Sequence, residues 1–147
     1  MLKAINRFLK QLSPEQQQQT NPQSVELATA VLLFEIMRAD DDFNVAEQLE
    51  VRTLLKRHFN LSDDKVEQMV NDAGQQASQA TDYHQFTRLI VEHYSIEQRK
   101  DIVELLWRVA YADDNLDSHE EHLIRRLSDL LRLRHSEFIQ CKLRVLK

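Results

Sequence analysis

The chain has 147 residues, enough for one domain with a substantial hydrophobic core, and carries a formal net charge of −5. One glycine and two prolines are too little punctuation for a sheet-rich fold, and a single cysteine excludes an internal disulfide and fits a reducing cytoplasm. The acidic balance argues against a nucleic-acid partner, and no apolar run approaches the roughly 18 residues needed to cross a bilayer.

Residues 1–12 form an amphipathic helix, with Leu2, Ile5, Leu9 and Leu12 on one face, Phe8 beside it, and Lys3, Arg7 and Lys10 opposite. We expect this helix to pack on the body of the protein; a membrane surface is the alternative partner for such a pattern. Basic residues near the start are followed by neither a long apolar region nor a small-residue cleavage site, so a soluble cytoplasmic protein is expected. A glutamine-rich linker follows, so residues 1–21 stand apart from a helical domain over 22–147.

Within that domain the helix starts are legible. Pro22 stands at a first helical position after Asn21. A capping residue followed three positions later by Glu or Gln recurs as Asn44 to Glu47, Asp82 to Gln85, Ser95 to Gln98 and Asp117 to Glu120. Ser62 precedes Asp63 and Asp64 in another first turn. These signals predict helices over 22–39, 44–58, 62–79, 82–93, 95–111, 117–131 and 135–145, an all-α single-domain bundle of seven to eight helices. Val25, Ala28, Leu32 and Ile36 mark the core face of the first, and Ile102, Leu105, Leu106 and Val109 that of the fifth. Trp107 is expected in the core with its indole N–H bonded nearby.

An acidic motif occurs twice, seventy-three residues apart. Ala39-Asp40-Asp41-Asp42-Phe43-Asn44 with Glu47 is matched by Ala112-Asp113-Asp114-Asn115-Leu116-Asp117 with Glu120. The correspondence continues through Val51-Arg52-Thr53-Leu54 and Ile124-Arg125-Arg126-Leu127. After a one-residue shift, Phe59-Asn60-Leu61 meets Leu131-Arg132-Leu133, and Val66 meets Phe138. Two related helical hairpins joined by helices 62–79 and 82–93, packed about a pseudo-twofold axis, are expected.

Carboxylates crowd here where a helix ends, the end that repels them. Asp40, Asp41, Asp42, Asn44 and Glu47 in one turn, and Asp113, Asp114, Asn115, Asp117 and Glu120 in the other, offer the oxygen donors that Ca²⁺ or Mg²⁺ uses. The twelve-residue spacing and glycine of an EF-hand are absent. A purely architectural reading stands beside this one. Asn44 and Asp117 would cap the next helix, Glu47 and Glu120 would complete capping boxes, and Asp42 and Asn115 would take a left-handed backbone. Arg52 and Arg125, at matching positions, would neutralise part of the remaining charge. His119 and His122 read as exposed, and Cys141, among Phe138, Ile139 and Leu143, as a buried inert thiol.

The stretch Leu106-Trp107-Arg108-Val109-Ala110-Tyr111-Ala112-Asp113-Asp114, with Leu116-Asp117 and Glu120-Glu121-His122, resembles the TerB-like family of tellurite-resistance proteins, in its small stand-alone bacterial branch. Arg125-Arg126, Asp129-Leu130-Leu131, Phe138-Ile139 and Lys142-Leu143-Arg144 extend the match, and Asp82-Tyr83-His84-Gln85-Phe86-Thr87 and the first acidic turn fit upstream. The resemblance covers about residue 24 to the end. It implies an all-helical bundle whose repeated acidic turns bind divalent cations, in a family tied to tellurite and other stress responses through protein partners, with no established reaction. The family usually places glycine at the positions of Asp42 and Asn115. We therefore expect a non-enzymatic cytoplasmic module with a cation and an unidentified protein partner, no catalytic residues and no organic cofactor. The alternative is a metal-free scaffold whose acidic turns dock basic residues of a partner.

Overall fold

Helix α1 (Asn21–Ala39) is apolar nearly all round, and the fold is built about it. In the computed structural model, which describes residues 21–39, 45–79, 82–112 and 116–146, all described elements are helices. The stripe read from the sequence is wider in the structure. Thr29, Val31 and Leu33 are as fully buried as Val25, Ala28, Leu32 and Ile36, because α1 meets neighbours on several sides. Thr29 stays dry by donating its hydroxyl to the Val25 carbonyl at 2.9 Å.

Helix α2 (Val45–Phe59) turns Val51, Leu54 and Leu55 inward and ends on Lys56, Arg57 and His58, which suit the negative end of the helix dipole. Helix α3 (Asp63–Gln79) starts at Ser62, whose hydroxyl accepts the Lys65 N–H at 3.3 Å, and buries Val66, Val70, Ala73 and Ala77 at helical spacing. The short α4 (His84–His93) contributes Phe86 and Ile90. Helix α5 (Ile96–Ala110) opens with the expected capping box. The Ser95 hydroxyl accepts from the Gln98 N–H, and the Gln98 side chain accepts from the Ser95 N–H. Helices α6 (Ser118–Leu130) and α7 (His135–Leu146) complete the described chain. No helix among the described residues is long and apolar enough to cross a membrane.

The repeat extends each expected hairpin by a third helix. α1 packs on α2 and α3 as α5 packs on α6 and α7, the two hubs α1 and α5 pack on each other, and α1–α6 is mirrored by α5–α2. Helix α3 is thus the counterpart of α7, and only α4 lies outside the duplication, lodged against α1 and α6. Backbone detail bears this out. Asn60 and Arg132, paired in the sequence alignment, are the two non-glycine residues with positive φ among those described, at 54° and 59°. Each sits just past its helix, where the next N–H reaches five residues back: Leu61 to the Lys56 carbonyl at 3.0 Å and Leu133 to the Ser128 carbonyl at 3.1 Å. Both units therefore end their second helix in a Schellman turn.

One expected start differs. Asp82 and Gln85 do not form a capping box; α4 begins with the Tyr83 carbonyl accepting from Phe86 and Thr87, and Tyr83 is itself in a helical backbone conformation. Asp82 accepts instead from the His84 N–H at 3.1 Å, an Asx-type turn. The expected N-terminal helix at 1–12 and the linker after it lie outside the described residues.

Candidate cation-binding turns

Glu47 and Glu120 occupy the third position of α2 and of α6, and both are 0 % exposed. At the second turn Asp117 is the N-cap, as expected, but its carboxylate takes the His119 N–H at 2.7 Å rather than that of Glu120. The His119 ring lies 3.2 Å from the same oxygen, exposed to solvent, as is His122. The turn itself leaves α5 through two tightening bonds, Tyr111 N–H to the Trp107 carbonyl at 3.0 Å and Ala112 N–H to the Val109 carbonyl at 3.2 Å.

Of the ten candidate ligands, the described residues therefore hold three: Glu47, Asp117 and Glu120. Asp40, Asp41, Asp42, Asn44, Asp113, Asp114 and Asn115 lie outside them. Among the described residues no three His, Cys, Asp or Glu side chains gather as a metal site. Among the described residues, the arginines expected to neutralise the turns have other contacts. Arg52 donates to Glu67 at 2.6 Å and to the Gln48 carbonyl at 3.3 Å. The Arg125 guanidinium lies over the Phe138 ring, 5.8 Å from its centroid.

A polar cluster that the sequence reading passed over lies on the last turns of α1, ahead of the first acidic turn. Glu35, 9 % exposed, accepts from Arg38 at 3.2 Å and from the Tyr83 hydroxyl at 3.3 Å, and Arg126 stands 5.9 Å from the Tyr83 ring centroid. Burial raises the Glu35 carboxyl above its usual range, with Arg38 and Tyr83 drawing it back. Its signal in the sequence was an acid set among apolar residues on every side of α1. The matching residue of the second unit is Arg108, exposed on α5.

Two other expectations are resolved. Cys141 is buried, its thiol donating to the Lys100 carbonyl at 3.4 Å, and burial together with Glu104 pushes it up to about 11. That is an inert thiol. Trp107 is fully buried as expected, but its indole N–H has no hydrogen-bond partner among the described residues. What holds it is aromatic and cationic packing, with Phe138 at 5.3 Å, Tyr111 at 5.9 Å and the Lys142 ammonium 5.2 Å from its ring.

Duplicated three-helix units, each with a buried glutamate on the third position of its second helix, define a class of all-helical module. The chain belongs to the TerB family: the family model described as Tellurite resistance protein TerB matches residues 26–143, from α1 into α7. No curated protein and no solved structure matches the chain.

Proposed function

We propose that the chain is a non-enzymatic cytoplasmic module of a tellurite-type stress response that binds a divalent cation at its two acidic turns and works through a protein partner. The observation that carries the reading is the matched burial of Glu47 and Glu120, each directly after an acid-rich turn. A carboxylate kept from water is held by hydrogen-bond donors, a proton or a positive charge. The flanking aspartates add the further oxygens with which a hard cation completes its shell. Family membership supports the same assignment of the module to tellurite-linked functions.

The mechanism is charge neutralisation. A bound cation relieves repulsion between clustered carboxylates at a helix C-terminus, stabilises the folded state by mass action and alters the surface that the turns present. The test is thermal unfolding of chelator-treated protein with and without Ca²⁺. Asp113→Ala with Asp114→Ala should reduce the cation-dependent rise in Tm, and the same change at Asp40 and Asp41 should remove the rest. A rise equal to wild type in the combined variant would sink the metal reading. Salt-sensitive association with a basic partner would then favour the scaffold alternative.

A further inference from the structure

An open groove of about 460 Å³ lies where the start of α1, the end of α2 and the face of α3 meet. Leu27, Phe59, Leu61 and Met69 give it apolar walls, each only partly covered by the rest of the fold. Glu26 and Asp72 stand on its lining, and among the described residues neither makes an ion pair and Lys65 is the lining's one cation. We propose that the chain's own residues 1–12 occupy this groove, their apolar face on its walls and their basic residues toward Glu26 and Asp72.

Three features single out that occupant. The first is pattern: Leu2, Ile5, Leu9 and Leu12 recur at helical spacing, the form in which a helix fills a groove. The second is charge: residues 1–12 hold Lys3, Arg7 and Lys10 and no acid, in a chain whose 24 acidic residues outnumber its 19 Lys and Arg. The third is reach. Glu26 lies only about 7–8 Å along α1 from Asn21, and residues 13–20 can span up to about 26–29 Å. The larger cleft of about 570 Å³ at Phe34, Met37 and Gly74 suits the segment less well, since among the described residues Arg52 is its one charged lining residue. The same groove gives the hydrophobic segment a place within its own molecule, in preference to a bilayer.

The full chain with Asn6→Cys, carrying a nitroxide at that thiol, tests this by paramagnetic broadening of backbone amides; the buried Cys141 thiol does not compete for the label. Broadening centred on Leu61, Met69 and Asp72, unchanged with protein concentration and relieved by Glu26→Lys with Asp72→Lys, is the expected result. Three results would overturn the proposal: broadening centred elsewhere, broadening seen only between separate labelled and ¹⁵N copies, or broadening of the whole chain only when anionic vesicles are added. If the double variant does not fold, the pattern in the otherwise native chain still decides.

Discussion

The two three-helix units share a backbone and differ in what fills it. In the second, Trp107 of α5 stacks on Tyr111 and packs at a tilt against Phe138, Lys142 lies over its ring, and Lys142 is tied to Glu121 at 3.3 Å. The first has Phe34 at the position of Trp107, Gln48 at that of Glu121 and Val70 at that of Lys142, and there the structure leaves the cleft of about 570 Å³. Gly74, the chain's one glycine, lies against the Phe34 ring, where the matching residue of α7 is Leu146. Helix ends and apolar register fix the backbone path, so both units end their second helix in the same left-handed turn. Side chains at one register are then free to close one unit and leave the other open.

The largest test of that contrast is truncation of the matched aromatics. Trp107→Ala should cost about 4 kcal/mol, and Phe34→Ala only about 2 kcal/mol because its ring already borders open space. Paired denaturant midpoints check this, and equal losses would mean that the two units are packed alike. Next come the left-handed turns. Arg132→Gly should gain about 1 kcal/mol by removing a side chain that disfavours positive φ, and Asn60→Gly a smaller amount, since asparagine tolerates that backbone.

Gly74→Ala is a closer balance. Alanine improves an exposed helix interior by about 1 kcal/mol, but its Cβ would lie 3.2 Å from the Phe34 ring. The open cleft lets that ring yield, so a net gain of about 0.5 kcal/mol is expected in thermal unfolding. A loss would show that Phe34 is pinned.

The smallest effect separates the units by pH. Glu35 is raised above 4.5, chiefly by burial, and its counterpart Arg108 is not an acid. The folded chain then holds that proton more tightly than the unfolded one. Its contribution falls as pH rises from 4.5 through the raised value, and is restored on acidification. Urea midpoints across that interval should show a shallower decline in Glu35→Gln than in wild type.

Most of the fold was legible because each helix start carries its own chemistry. Ser62 and Ser95 cap as their spacing suggested, Asp117 caps its helix but through the His119 N–H, and Asn60 pairs with Arg132 in geometry as it did in sequence. Asp82 misled because a capping pattern does not say where the first helical carbonyl falls, and here Tyr83, packed toward Glu35, supplies it. The third helix of each repeat showed in the sequence only as the match of Val66 to Phe138 beyond the one-residue shift, too little to set its extent. At the site, the pattern named the turns but not the depth of Glu47 and Glu120, since burial depends on which helices close over a position. Arg52 and Arg125 were assigned to the turns by register alone; among the described residues Arg52 meets Glu67 and Arg125 meets Phe138.

The central claim rests on the acidic turns as cation sites, and calorimetric titration of chelator-stripped protein with Ca²⁺ tests it most directly. Saturable heat with one or two ions bound per chain, diminished by Asp113→Ala with Asp114→Ala, is expected. An absence of heat with Ca²⁺, Mg²⁺, Mn²⁺ and Zn²⁺ alike, and no accompanying shift in Tm, would contradict it and leave the turns as helix caps or docks for a basic partner.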